Sequence, residues 1–166
     1  MVMTEKVKKA REYAIQKHGS QTYGNSNLPY IYHLDGVARN TGRLLYVYFD
    51  FDDVFFERAL IIAYLHDVLE DTDTPYNEIE KLFGEDVLYI LKLLKHEKEE
   101  SYVDYIVKTM GLPTGSLVKL ADLSFNIKQS KKELRIKHNG YNKQRLEKYL
   151  LARHIVKEDL DSRNER

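Results

Sequence analysis

The stretch "AYLHDVLEDTD", residues 63–73, places His66, Asp67, Glu70, Asp71 and Asp73 directly after the apolar Leu60, Ile61, Ile62 and Leu65. On a continuous α-helix, at about 100° per residue, His66, Asp67, Glu70 and Asp71 fall within an arc of about 140°. His66 and Glu70 then stack one turn apart, as do Asp67 and Asp71. Carboxylates packed this closely repel one another unless a cation sits among them. A divalent metal ion does this, and imidazole with carboxylates is a suitable set for Mn²⁺, Fe²⁺ or Zn²⁺.

The ligand count must be completed from elsewhere in the chain, and two residues stand out. His33, in "PYIYHLDG", follows a polar loop; Asp122, in "LVKLADLSFN", sits in an otherwise apolar stretch with Asn126 one turn later. His33, His66, Asp67 and Asp122 would make a site of two imidazoles and two carboxylates with room for water. Each also has an ordinary reading. "EDTD" suits a solvated helix end, His33 a structural or surface role, and Asp122 an ion pair with Lys119.

Helices are the elements that must position these residues. Thr4 is a candidate N-cap for a first helix through about His18, with Val7, Ala10, Ala14 and Ile15 as its stripe. Residues 19–30, "GSQTYGNSNLPY", read as a loop. A second helix is expected over about 34–47, and a third, capped by Asp52 or Asp53, through about Leu69. Pro75 disfavours α conformation at Thr74 and ends that helix. Shorter helices follow, two of them closed by Gly84 and Gly111, then segments over 116–129 and about 142–159. No stretch alternates as a half-buried strand does, so the fold class is all-α. The domain is expected to span residues 1–160, with 161–166 a frayed tail.

Composition narrows the function classes. The 166 residues suit one domain, and the 26 basic residues balance the 26 acidic ones. That balance argues against nucleic acid as the main partner. With no cysteine, disulfides, thiolate metal sites and Cys nucleophiles are excluded. No apolar run approaches the roughly 20 residues of a membrane span, and the charged N-terminus is not a signal peptide. A cytoplasmic protein without a membrane partner is expected. The tyrosines at 46, 48, 64, 89, 102 and 105 are expected mainly in the core, with a homodimer surface as the alternative.

The ordered motifs "KHGSQTYGNSNLPYIYHLDGVA", "ALIIAYLHDVLEDTDTPYNEIEKLFGEDV" and "LVKLADLSFNI" resemble the HD phosphohydrolase superfamily, in its RelA/SpoT-type hydrolase branch. The resemblance runs from about Ala10 to Asn126 and on into the final helix. It implies a compact helical HD bundle and one divalent metal, usually Mn²⁺, with Fe²⁺, Zn²⁺ or Mg²⁺ as alternatives. The implied ligands are His33, His66, Asp67 and Asp122, and the implied catalytic pair is Glu70 and Asp71. The implied reaction removes pyrophosphate from the 3′-diphosphate of guanosine tetra- or pentaphosphate. Asn126 and Tyr149 match positions that line the nucleotide pocket.

The chain departs from this pattern where substrate is read. The family's Arg-Lys pair after His-x-x-Gln is here Tyr23-Gly24, the basic residue after the metal-binding Asp is Leu123, and Phe125 precedes the Asn. Lost charge-assisted contacts are each worth about 1.5–3 kcal/mol, so a heavily charged nucleotide should bind less tightly. Tyr23 then joins the substrate-binding set, and Lys119, with Lys17 and Lys128, is expected to replace part of the lost charge. Two other readings stay open: hydrolysis of a different nucleotide such as a monophosphate, and a non-catalytic nucleotide-binding module.

Overall fold

A computed structural model describes residues 3–50, 52–137 and 139–164. Among them the chain forms nine helices and no strand, apart from an isolated bridge between Thr22 and Pro29. The all-α expectation holds.

Helix α1 (Glu5–His18) starts where the Thr4 hydroxyl accepts from Val7 N–H, and it ends at Gly19, whose φ of 52° favours glycine. Its inner face is Val7, Ala10, Tyr13, Ala14 and His18; Ile15 is instead exposed. The loop over 20–30 doubles back through Tyr30 N–H to Gln21 O and Tyr23 N–H to Leu28 O, both 2.9 Å. Helix α2 (Ile31–Tyr48) follows and α3 (Asp53–Leu65) is capped by the Asp52 carboxylate on Phe55 N–H.

The third helix does not continue through the acidic run. It stops at Leu65, His66 and Asp67 form a turn, and a single-turn helix, α4 (Val68–Asp71), begins there. Thr72 closes α4 by donating to Val68 O at 2.6 Å. Pro75 then precedes α5 (Tyr76–Phe83), and Gly84, at φ 97°, turns the chain into α6 (Glu85–Leu94). Helix α7 (Tyr102–Thr109) is capped by Ser101.

Helix α8 (Pro113–Ile136) is longer than expected at both ends; at the start, Pro113 is pre-organised for a first helical turn. It is buried nearly all round from Thr114 to Leu123, which erases an amphipathic pattern. Val118, Ala121 and Phe125 join the core with α1–α6, whereas Leu117, Leu120 and Leu123 face a second cluster with α7 and α9 (Gly140–Asn164). Leu123 is therefore fully buried. The expectation that it stands at a substrate position is corrected: its side chain fills the core between helices. Helix α9 carries residues 161–164 of the expected tail, and 165–166 lie outside the described residues. The tyrosines divide: Tyr48, Tyr64 and Tyr105 are buried, whereas Tyr46 and Tyr89 are exposed.

The α2–α8 crossing needs a glycine. A Cβ at Gly36 would lie 2.0 Å from Phe125 Cε2, and Phe125 is itself wedged edge-on against His33 and Tyr23. Gly36→Ala is expected to cost about 2 kcal/mol of unfolding free energy through overpacking. Denaturant titration measures this; a change below about 0.5 kcal/mol would mean that Phe125 moves aside freely.

Candidate active site and metal centre

Two helices and one turn bring four ligand-type atoms together. His33 comes from the first turn of α2, His66 and Asp67 from the break between α3 and α4, and Asp122 from the buried middle of α8. The two imidazole Nε2 atoms are 3.3 Å apart. Asp67 Oδ2 is 3.2 Å from His33 Nε2 and 3.1 Å from His66 Nε2. Asp122 Oδ1 is 3.4 Å from the first and 3.9 Å from the second. Ligand atoms about 2.1 Å from one ion are separated by about 3.0–3.4 Å in octahedral or tetrahedral coordination. Four of these five separations fall in that range, and His33, His66 and Asp122 offer ligand atoms within 4.8 Å of one another, so the site can hold a divalent cation.

The break between α3 and α4 is what makes this convergence. A continuous helix would send His66 and Asp67 about 100° apart. Instead Asp67 sits at φ −97°, ψ −6°, in the bridge region between α and β, and both side chains reach the same point. The arc expected from an unbroken helix is thus replaced by a turn.

Surrounding hydrogen bonds orient the set. His66 Nδ1 donates to Ala63 O at 2.8 Å, which leaves the Nε2 lone pair facing the cluster. Asn126 Nδ2 donates to Asp122 Oδ1 at 2.5 Å, and Tyr23 OH donates to Asn126 Oδ1 at 2.5 Å. The Tyr23 ring also stacks on His33 at 4.8 Å. Lys119 donates to Asp122 Oδ2 at 2.9 Å and to the Tyr105 hydroxyl at 2.8 Å. The ion pair that was the ordinary reading of Asp122 therefore exists, and it lies beside the ligand cluster rather than in place of it.

Tyr30 ties the candidate ligands to the acidic pair. Its hydroxyl lies 2.7 Å from Asp67 Oδ2 and 2.8 Å from Asp71 Oδ2, and its one proton serves either carboxylate at a time. The imidazole of His18 stacks on the Tyr30 ring at 4.2 Å and bonds Gln21 Oε1 at 2.7 Å. This is the structural use of His-x-x-Gln: it props the tyrosine that steadies Asp67. Glu70 Oε2 accepts from His96 N–H at 2.9 Å.

The electrostatics follow from crowding. Burial opposes charge on His66, yet Asp67, then Asp122, outweigh it and push the imidazole up to about 9. Burial also opposes charge on Asp67, but His66 and His33 hold its carboxyl well below the usual range. Glu70 and Asp71 move the other way: burial raises both, with repulsion from Asp67 adding to it. Burial likewise raises the Tyr23 and Tyr30 phenols, which stay neutral donors.

These residues line one cavity of about 300 Å³. Tyr23, His33, Asp67, Glu70, Asp71, Lys119, Asp122, Asn126 and Tyr149 all face it, with His66 in the wall behind. A side chamber of about 110 Å³ opens past Tyr23 and Gly24 toward Glu133 and Arg145. Two expected cations are absent from it: Lys17 pairs with Glu78 at 2.8 Å, and Lys128 is exposed outside the cavity. Sequence reasoning missed Tyr30, His96, Tyr102, Tyr105 and Lys148. Tyr30 lay within the quoted "PYIYH". The others arrive through the α6–α7 connection, α7 and α9, where no local spacing marks them.

An all-α domain whose two histidines and two aspartates converge beside a Glu-Asp pair defines an HD-type hydrolase scaffold. No family profile matches the chain. Relatives nevertheless do. The chain is 33% identical to the guanosine-3′,5′-bis(diphosphate) 3′-pyrophosphohydrolase MESH1 of Danio rerio, over 87% of this chain and 79% of that protein. It is 36% identical to a guanosine-3′,5′-bis(diphosphate) 3′-pyrophosphohydrolase of Aquifex aeolicus, over 75% of this chain but only 18% of that protein. A solved structure described as a metazoan ortholog of SpoT that hydrolyzes ppGpp matches with a TM-score of 0.67 and 26% identity, covering 96% of this chain and 88% of that one. The chain belongs to the MESH1-like guanosine-3′,5′-bis(diphosphate) 3′-pyrophosphohydrolase family, the small RelA/SpoT-type branch of the HD hydrolases.

Proposed function

We propose that this chain hydrolyses the 3′-diphosphate of guanosine tetra- or pentaphosphate and releases pyrophosphate, using one divalent ion held by His33, His66, Asp67 and Asp122. The observation that carries the reading is the approach of Asp67 Oδ2 and Asp122 Oδ1 to within 3.1–3.9 Å of two imidazole Nε2 atoms that are themselves 3.3 Å apart, beside Glu70 and Asp71. Mn²⁺ is the first ion to test, with Fe²⁺, Zn²⁺ and Mg²⁺ as competitors. Bound there, such an ion supplies Lewis acidity toward a phosphoryl oxygen and lowers the pKa of water.

The chain's own residues then have separable tasks. Glu70 and Asp71 stand on the open side of the ligand set and accept the proton of the attacking water. Their burial-raised pKa values make them better bases than surface carboxylates, provided that they are ionised at the working pH. Water forms a bond to the phosphorus next to the ribose, the bond from that phosphorus to the 3′-oxygen breaks, and the 3′-oxygen takes up a proton. Tyr30 holds Asp67 and Asp71 in register throughout, through the hydroxyl between them. Asn126, Tyr23 and Tyr149 form the wall against which the nucleotide rests.

A second reading is hydrolysis of a nucleoside monophosphate, favoured by the uncharged Tyr23-Gly24 at the mouth of the side chamber. A panel of nucleotides with Mn²⁺, Mg²⁺, Fe²⁺ or Zn²⁺, with separate detection of pyrophosphate and orthophosphate, decides between them. The expected result is stoichiometric pyrophosphate from guanosine tetraphosphate, abolished by chelation and restored by Mn²⁺. Orthophosphate from a 3′- or 5′-monophosphate selects the second reading. Nucleotide binding without turnover under every metal selects a regulatory module.

A further inference from the structure

The cavity and its side chamber carry three basic side chains with permanent or near-permanent charge: Lys119, Lys148 and Arg145. Two are already neutralised. Lys119 is bound to Asp122 and Tyr105, and Arg145 is paired with Glu133. Lys148 is different. Among the described residues it makes no ion pair, although its neighbours on α9 do. Its ammonium lies over the Tyr102 ring, 4.3 Å from the centroid, and 5.5 Å from the centroid of Tyr149.

This placement is costly without an anion. Partial burial, then the charges of Lys119 and Arg145, push the Lys148 ammonium below the ordinary lysine value. A lysine left among two other cations, with no carboxylate of its own, meets repulsion that an incoming anion would relieve. The tyrosine rings meanwhile restrict the four-carbon stem, so less conformational freedom is lost on binding. The carboxylates of the same cavity, Asp67, Glu70 and Asp71, make no ion pair with Lys148 among the described residues, so an incoming anion does not have to displace one of them from it.

We propose that Lys148 is the phosphate-anchoring residue of this cavity, its ammonium binding a non-bridging oxygen of a nucleotide phosphate. It selects for ligands carrying more than one phosphate group, because one phosphate occupies the His/Asp cluster and another meets Lys148. The inference rests on the nucleotide-hydrolase reading of the site, and it assigns to α9 a specificity role that the helix's sequence does not display.

The test uses the full, Mn²⁺-loaded chain with K148A, K148R and K148E. Two readouts are taken: KM and kcat for guanosine tetraphosphate, and calorimetric binding of inorganic pyrophosphate. K148A is expected to raise KM and the pyrophosphate Kd by about tenfold or more, the scale of one charge-assisted hydrogen bond, with kcat within about threefold. K148E is expected to raise both further, and K148R to stay within about threefold of the parent, separating lost charge from lost packing. Unchanged KM and Kd in K148A and K148E overturn the proposal while leaving the hydrolase reading intact. A parent that binds pyrophosphate through Lys148 but turns over no guanosine tetraphosphate overturns the substrate and keeps the anchor. A parent that binds neither overturns both.

Discussion

Asp67→Ala is expected to lower kcat/KM for guanosine tetraphosphate by about 1,000-fold or more and to leave the purified protein with less than one bound divalent ion per chain. Asp67 is the carboxylate with the most demands on it. One oxygen lies within 3.2 Å of both imidazoles and within 2.7 Å of the Tyr30 hydroxyl. Removing it takes away a proposed ligand, discharges the electrostatic partner of His66, and frees Tyr30 to bond Asp71 alone. Asp73→Ala serves as the matched control, since Asp73 is exposed, lies beyond the closing Thr72 and outside the cavity lining. Its activity should stay within about twofold of the parent. Metal content by elemental analysis and kcat/KM by pyrophosphate release check both variants. Asp67→Ala activity within tenfold of the parent would falsify the ligand role of Asp67.

The control also marks how far local spacing reached. Asp73 and the threonines around it were readable as helix-end residues, because Pro75 breaks the pattern just beyond them. The candidate ligands were readable because histidine and aspartate beside buried aliphatic residues are chemically conspicuous; His33 after its polar loop and Asp122 in its apolar stretch stood out in the same way, and the resemblance joined them into one set. The turn at His66-Asp67 was not. Nothing in "LHDVLED" disfavours helix, and the break is imposed by packing: Val68 and Leu69 are buried in the same core as Leu65. Helix α8 was under-read for a related reason. Periodicity marks a helix with one wet face, and α8 has almost none between Thr114 and Leu123. That total burial also turned Leu123 from an expected substrate position into a core residue, since the residue after Asp122 points about 100° away from it. Lys148 escaped notice because its meaning depends on Glu133 neutralising Arg145, a contact across two helices that no window of sequence contains.

The metal-free protein is expected to lose stability as pH rises from about 6.5 to about 9, and a saturating divalent ion should remove that loss. The window comes from His66, whose imidazole is pushed from the ordinary 6.5 up to about 9. A folded-state pKa raised above the unfolded one means that the folded protein binds the proton more tightly. The resulting stabilisation is complete below 6.5 and disappears as pH climbs through 9. Each unit of displacement is worth about 1.4 kcal/mol, so the whole effect is on the order of 3 kcal/mol. Glu70 and Asp71 contribute with the same sign, but their loss begins in the carboxylate range and is spent at lower pH. Asp67 contributes oppositely, through stabilisation lost only in acid. The physical content is that a proton on His66 stands in for the cation: either species relieves the repulsion between Asp67 and Asp122 across the cluster. A metal ion that takes the Nε2 lone pair leaves no proton to lose there, so the titration vanishes. Unfolding midpoints from pH 6 to 9, with chelator and with anaerobic Mn²⁺, check this. The chelated protein should fall by at least about 5 °C across the window while the loaded one stays level. His66→Gln, which keeps a polar side chain but cannot titrate, should be level in both.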